Sequence, residues 1–351
     1  MNRDILRFIA RLLFYSLPIL VLTAIYLLID PFKVTGHYDN FYPGTTNGGV
    51  ALNQGYVSCA VYQNFVQKYH YDSFIFGNSR SLYYPVAKWE QYLDSCSTPL
   101  HMSASSETLL GLTRKIEWID KSGGVLRNVL ITADNNLLSN VEASKTDRLA
   151  MLPPQLAGTI DALRFQFQSF HVFMMPQFFF AVIDYTISGK LKPYMIHDRQ
   201  KLMDEDMFTY DAVHNEMNFS LMEKKIADGV FYDQKRIDMF MDFPQSPDSI
   251  SPVAIGERQM ELLQSISSIV KKHHTNIVWV INPLYDQIRI NPADVATLKK
   301  LFGENNVFDF SGPNKWNADY HNYYETAHYR PIVACEVLDS IYRHHSRKPW
   351  L

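Results

Sequence analysis

Eighteen consecutive uncharged residues near the N-terminus constrain this chain more than any other feature. The segment runs from Leu12 to Ile29 and reads LLFYSLPILVLTAIYLLI. This is the length of a helix that crosses the hydrocarbon layer of a bilayer. Pro18 is tolerable there, because neighbouring groups can satisfy the backbone carbonyl that it frees. The sequence therefore predicts a transmembrane anchor over residues 12–30.

The charges around this segment predict its orientation. Arg3, Arg7 and Arg11 precede it, and positively charged flanks remain on the cytoplasmic side of a membrane. Residues 1–11 are then cytoplasmic, and everything after Pro31 lies outside. A cleaved signal peptide is the alternative, but the sequence LLIDPFKVTG across the end of the segment offers no small-x-small cleavage site.

A second apolar stretch, residues 170–187, is interrupted by Pro176, Gln177 and Asp184. An ionisable residue is costly inside a bilayer, so this stretch is not expected to span it. We interpret it as a buried or interfacial amphipathic segment.

Composition excludes one class of partner. The 351 residues carry a formal net charge of -3, so the chain has no overall positive charge for a nucleic-acid backbone, and no nucleic-acid partner is expected. A hydrophobic content of 47% is ample for a large core.

Cysteines and histidines give no metal pattern. Cys59, Cys96 and Cys335 lack CxxC spacing. Cys59 and Cys96 are the pair to expect if a disulfide forms outside the cytoplasm, and three buried free thiols are the alternative. The adjacent pairs 273–274 and 344–345 are histidines that point to different helix faces, so they are poor chelates. No metal and no cofactor are predicted.

The body alternates short apolar strands with amphipathic helices. This rhythm predicts an α/β three-layer sandwich, a central parallel sheet with helices on both faces and chemistry at the carboxyl ends of the strands. Strands are predicted at 72–77, 99–104, 125–133, 277–283 and 307–310, and helices at 87–93, 107–121, 255–273, 292–302 and 331–342.

Residues 140–252 break this rhythm. They include an aromatic-rich region at 165–180 and are interpreted as a helical insertion or cap. The predicted α/β domain then covers residues 71–351, and residues 31–70 form a linker and a leading helix between the anchor and the domain.

Ser79 stands where a nucleophile is expected. It lies in the loop Gly77-Asn78-Ser79-Arg80, directly after the first strand of the domain, and a turn at glycine exposes the side chains that follow. Serine is also a favoured helix cap, which is the structural alternative.

A carboxylate and an imidazole lie three residues apart just before the last predicted helix, as Glu325 and His328. A serine hydroxyl needs a base to take its proton, and a carboxylate orients that base. With Ser79 they would complete a triad. An ordinary solvated histidine is the alternative for His328.

This combination resembles the SGNH (GDSL-like) hydrolase superfamily, and within it the membrane-anchored branch related to envelope-polymer acyl-transfer proteins. The family's Gly-Asp-Ser block looks like Gly77-Asn78-Ser79, and its Asp-x-x-His block looks like Glu325-Thr-Ala-His328. The resemblance implies a flavodoxin-like sheet order of the SGNH kind.

The resemblance also implies an oxyanion hole. Its donors would be the backbone amides of Ser79 and Ser106, with Ser106 standing where the family has glycine, and the side chain of Asn135. Asp134 competes with Asn135 for the last position.

By this resemblance we expect a serine-dependent ester hydrolase or O-acyltransferase at a bacterial inner (cytoplasmic) membrane, with its domain periplasmic or extracellular. Its substrate would be an envelope glycan or a small acyl ester, and a membrane acyl-donor protein is a further expected partner. The alternative is a catalytically inactive protein of the same fold that binds an envelope glycan or a membrane partner through its crevice, using aromatics of region 165–180.

Overall fold

A computed structural model gives the fold over residues 3–43, 46–196 and 203–343. The helices are α1 (Arg3–Ile29), α2 (Gln54–Tyr69), α3 (Val86–Trp89), α4 (Leu109–Lys121), α5 (Asn135–Ser139), α6 (Thr159–Phe173), α7 (Pro176–Ser188), α8 (Ser220–Ala227), α9 (Gln234–Met241), α10 (Glu257–Lys272), α11 (Pro292–Phe302) and α12 (Pro331–Tyr342). The strands are β1 (Thr46–Val50), β2 (Ser73–Gly77), β3 (Pro99–His101), β4 (Asn128–Ala133), β5 (Met203–Asp211), β6 (Glu216–Asn218), β7 (Asn276–Ile281), β8 (Val307–Asp309), β9 (Tyr323–Glu325) and β10 (His328–Tyr329).

Five parallel strands form the central sheet in the order β3-β2-β4-β7-β8. Helices cover both of its faces, which confirms the predicted α/β class and parallel sheet. Because all five strands run the same way, their carboxyl ends meet at one edge of the sheet. Ser79, Asp134 and Asn282 follow β2, β4 and β7 at that edge.

Alternate residues of each strand enter different cores. Phe74 and Phe76 of β2 pack in the core formed with α2, α4, α10 and α11. Ile75, between them, packs in the opposite core with Trp89 of α3 and Val337 of α12. Burial on both faces explains why these strands read as continuous apolar runs.

Several predicted boundaries shift by a few residues. The helix predicted from residue 107 begins at Leu109, because the Thr108 side chain caps it by accepting a hydrogen bond from the Gly111 N–H at 3.0 Å. The strand predicted over 99–104 ends at His101, although the Met102 and Ala104 N–H groups still donate to β2 carbonyls.

The predicted insertion, residues 140–252, contains strands as well as helices. β5 and β6 form an antiparallel sheet with β1, which belongs to the segment between α1 and the predicted α/β domain. The segment predicted as a helical insertion or cap therefore holds two strands besides helices α6 to α9. A strand whose partner lies about 150 residues earlier gives no local pairing signal in the sequence.

The first helix, α1, is long and apolar enough to cross a membrane. The chain that follows it is fixed to the helix end. The Asp30 carboxylate accepts hydrogen bonds from the Val34, Thr35 and Gly36 N–H groups, each at 2.9 Å. Residues 31–36 therefore form a structured joint between α1 and the body.

The cysteines are free thiols, with Cys59 buried in the core and Cys96 exposed. The imidazole of His273 lies 2.5 Å from the Asp120 carboxylate. His344 and His345 lie outside the described residues.

Candidate active site

The turn that carries Ser79 depends on close contact between β2 and β4. Gly77 has a φ of +152°, and a Cβ at this position would lie 2.3 Å from the Thr132 hydroxyl oxygen and 2.7 Å from the Thr132 carbonyl oxygen. Only glycine fits both the space and the backbone angle. Asn78 then caps a short 3-10 helix, residues 79–83, by accepting a hydrogen bond from the Arg80 N–H. Ser79 is the first residue of that helix.

The structure brings Ser79 and His328 into direct contact. The Ser79 Oγ and the His328 Nε2 are 2.6 Å apart. Both residues are partly exposed to solvent. This is the distance at which an imidazole can accept the hydroxyl proton.

Glu325 completes the arrangement from the hairpin β9–β10. Its Oε1 pairs with the His328 Nδ1, and its Oε2 accepts a hydrogen bond from the Ala327 N–H at 2.7 Å. Burial opposes ionisation of this carboxyl. The hydrogen bond to His328, the imidazole charge, the Ala327 N–H and the Arg80 charge outweigh burial, so the pKa of Glu325 lies below its ordinary value.

Arg80, which the sequence interpretation did not assign, links the serine turn to the histidine hairpin. Its Nε donates to the Ala327 carbonyl at 2.8 Å, and its Nη1 donates to the Asp134 Oδ2 at 2.7 Å. The Asn78 Nδ2 donates to the same Asp134 oxygen at 2.6 Å. The residues on both sides of Ser79 are thereby held by one carboxylate, which is 2% exposed.

These contacts change the interpretation of Asp134. As an acceptor for Arg80, Asn78 and the Leu137 N–H, its carboxylate cannot donate to an oxyanion, so the competing assignment of Asp134 as an oxyanion donor is wrong. Asn135 follows it as the first residue of α5, and its Oδ1 is buried without a hydrogen-bond partner among the described residues.

Ser106 lies on the exposed turn after β3 with a φ of +51°. It lines a shallow depression with Asn53 and residues 149–153, and neither Ser79 nor His328 lines that depression. Within the described ranges, no hydrogen bond joins Ser106 to the Ser79–His328 pair. The backbone amide of Ser106 as an oxyanion donor stays a prediction.

Asn282 is a second polar residue at this edge that the sequence interpretation did not single out. It is completely buried after β7, its Oδ1 accepts a hydrogen bond from the Tyr329 hydroxyl at 2.9 Å, and its Nδ2 has no partner among the described residues. Its position was a usable signal, because Asn78, Asp134 and Asn282 each follow a strand of the same parallel sheet.

The predicted insertion packs against the histidine hairpin. Glu223 of α8 accepts hydrogen bonds from the Tyr324 hydroxyl at 2.6 Å and from the Arg330 Nε at 3.0 Å. The Phe219 ring, next to α8, lies 4.7 Å from the Tyr83 ring, which in turn lies 5.5 Å from the His328 ring. The insertion therefore contacts and supports the hairpin that carries Glu325 and His328.

Three aromatics of region 165–180 are buried and therefore do not line a binding crevice. Phe165, Phe173 and Phe178 are buried in a cluster with Tyr26 of α1 and Phe32. They pack near the C-terminal end of α1.

The geometry permits nucleophilic chemistry. A serine hydroxyl hydrogen-bonded to an imidazole, which is in turn hydrogen-bonded to a carboxylate, is the arrangement used to attack acyl carbonyls on several unrelated folds. No protein-family model matches this chain, and no curated protein sequence matches it.

Proposed function

We propose that the protein is a membrane-anchored, extracytoplasmic serine esterase or O-acyltransferase of the SGNH type. The observation that carries the proposal is the continuous contact from the Ser79 hydroxyl through His328 to Glu325. Ser79 is 249 positions from His328 in the chain, and the two side chains meet at the carboxyl edge of a parallel sheet, where α/β folds place their reactive groups.

In the proposed reaction, the Ser79 Oγ bonds to the acyl carbon of an ester while its proton passes to the His328 Nε2. The tetrahedral intermediate then expels the alcohol, which leaves with the proton from the imidazolium. Glu325 fixes the imidazole tautomer and stabilises its charged form. Water or a hydroxyl group next attacks the acyl-serine ester and gives its proton to His328. The tetrahedral intermediate then releases the carboxylic acid or the new ester, and His328 returns the proton to the Ser79 Oγ.

The proposed hydrogen-bond donors to the oxyanion of the tetrahedral intermediate are the backbone amides of Ser79 and Ser106 and the side chain of Asn135. The first N–H groups of a helical turn have no acceptor within the helix, which leaves the Ser79 amide suited to this role. A lost donor of this kind costs about 3 kcal/mol of transition-state stabilisation.

The proposed substrate is an acyl ester of an envelope glycan, with the domain in the periplasm or beyond and a membrane acyl donor as partner in the transferase case. The support is the resemblance together with α1, which would keep Ser79 close to membrane-linked acceptors. A product assay distinguishes the two reactions, because hydrolysis releases free carboxylic acid and transfer yields acylated oligosaccharide.

The test is covalent labelling of the full-length protein in nanodiscs with a fluorophosphonate, followed by peptide mapping. The full chain is used because Tyr26 of α1 packs into the body. We expect an adduct at Ser79 that is lost in His328→Ala. The matched control is His321→Ala, because His321 is an exposed imidazole that also contacts a carboxylate, Asp319.

An adduct at Ser79 in both the wild type and the His321 variant supports the proposal. A folded protein that forms no adduct at Ser79 contradicts it and favours the inactive binding protein.

A further inference from the structure

Two helices of the insertion expose large apolar side chains next to the end of α1. On α6, Ile160, Leu163 and Phe167 are 74%, 66% and 68% exposed. Their spacing places them on one face of the helix. On α7, Phe180 and Ile187 are 65% and 80% exposed and again share a face.

Other aromatic residues of these helices pack against α1 and the chain that follows it. The Tyr26 ring of α1 lies 5.4 Å from the Phe170 ring and 5.3 Å from the Phe173 ring. The Phe32 ring stacks on Phe178 at 5.1 Å. The exposed apolar residues of α6 and α7 therefore lie beside α1, and their apolar surface continues that of α1.

The charges carried by the two helices are paired. Asp161 and Arg164 form an ion pair on α6. Asp184 of α7 pairs with Lys192 at 2.7 Å and accepts a hydrogen bond from the Tyr194 hydroxyl. Pairing lowers the cost of moving a charged side chain towards a medium of low dielectric constant.

The geometry of α6 and α7 excludes a straight second span. Each helix is shorter than 18 residues, and the pair is bent by 79° at Met174 and Met175. Helices that lie in the membrane interface place an apolar face in the acyl region, and the exposed apolar residues of α6 and α7 offer such a face.

We propose that residues 159–188, here called the elbow, insert into the outer leaflet of the bilayer that α1 crosses. The occupant of the exposed apolar face is lipid, since this face continues the surface of the anchor. The inference rests on α1 spanning the membrane as in the proposed function.

Insertion of the elbow would hold the body in one position and orientation relative to the membrane. The joint at Asp30 and the contacts of Tyr26 and Phe32 hold α1, the elbow and the domain together. Ser79 is then kept at a set height and orientation above the lipid. Such a placement suits an acceptor or donor that is itself held in the membrane.

The test is spin-label accessibility on the full-length protein in nanodiscs. Single labels are placed through Phe167→Cys and Ile187→Cys in a background with Cys96→Ser and Cys335→Ala, in which only the buried Cys59 remains. Collisions with oxygen, which concentrates in lipid, are compared with collisions with a water-soluble nickel complex. Leu20→Cys in α1 and Val253→Cys, an exposed apolar site on the body, are the lipid and water references.

We expect the labels at 167 and 187 to show high oxygen and low nickel accessibility, as at 20 and unlike 253. High nickel accessibility at 167 and 187 would overturn the proposal that the elbow inserts into the bilayer. Low accessibility to both reagents at these positions also overturns it, because that result indicates a protein partner or a second copy of the chain.

A water-exposed label at 20 would reject the anchor and the elbow together. The fluorophosphonate reaction of Ser79 is measured separately. Its absence counts against the proposed chemistry and leaves the accessibility result for the elbow intact.

Discussion

The guanidinium of Arg80 and the carboxylate of Asp134 form a shielded ion pair, with Nη1 and Oδ2 2.7 Å apart and side chains 13% and 2% exposed. The pair joins the turn after β2 to the start of α5 after β4. Because Arg80 also donates to the Ala327 carbonyl, it fixes the distance between the Ser79 turn and the His328 hairpin. Arg80 and Asp134 are therefore positioning residues.

Asp134→Asn should weaken this positioning. The variant leaves the Arg80 cation with a neutral partner, and loss of one charge from a buried pair costs about 3 kcal/mol of stability. We expect the rate of fluorophosphonate reaction at Ser79, extrapolated to saturating probe, to fall more than the apparent affinity for the probe. A time course of labelling at several probe concentrations measures the rate and the apparent affinity, and urea unfolding measures the loss of stability.

The matched control is Asp228→Asn, which neutralises the exposed pair of Asp228 with Lys224. Exposed pairs contribute about 0–1 kcal/mol. Equal effects of Asp134→Asn and Asp228→Asn on labelling would contradict the positioning role of Asp134.

Glu325→Gln tests the carboxylate of the proposed triad. The amide oxygen can still accept a hydrogen bond, but it carries no charge to stabilise the imidazolium and allows the wrong imidazole tautomer. The expected loss of labelling rate is up to about 10⁴-fold. The comparison is Asp319→Asn at the exposed His321 pair, and a Glu325 variant that reacts as fast as this control would remove Glu325 from the site.

His101 should make the fold sensitive to acid. The imidazole is completely buried, with its Nε2 3.1 Å from the Tyr84 carbonyl, and burial lowers the pKa of His101 from 6.5 to about 4. Between these values the unfolded chain binds a proton that the native protein does not. Stability is therefore lost as the pH falls through this window.

We expect His101 to contribute a loss of about 2 kcal/mol in unfolding free energy between about pH 7 and about pH 5. Urea unfolding at the two pH values measures it, and His101→Gln should show a smaller difference. His37→Gln, which alters an exposed imidazole, should keep the wild-type difference. An unchanged difference in His101→Gln would argue against this residue as the source.

Asp30→Ala should loosen the joint between α1 and the body. The substitution leaves the Val34, Thr35 and Gly36 N–H groups without their acceptor, and an unsatisfied buried polar group costs about 1–3 kcal/mol. We expect faster tryptic cleavage after Lys33 in the full-length protein. Asp39→Ala, at an exposed carboxylate, is the control, and equal cleavage rates in the two variants would refute the joint.

The sequence alone determined the features that depend on local patterns. The long apolar helix α1 follows from an uninterrupted apolar run. The positions of α11 and α12 match the predicted ranges, because helical periodicity and an initial proline define them. The alternation of strands and helices likewise determined a parallel sheet with helices on both faces.

Only the tertiary structure decided what meets at the edge of that sheet. Ser79 and His328 are 249 positions apart, and their contact depends on the strand order and on the β9–β10 hairpin. The same is true of Asp134, whose role follows from Arg80 and Asn78 approaching it from β2, and of β5, whose partner β1 precedes the domain. A local pattern records the period and burial of a segment, whereas pairing between distant segments is settled by packing of the whole chain.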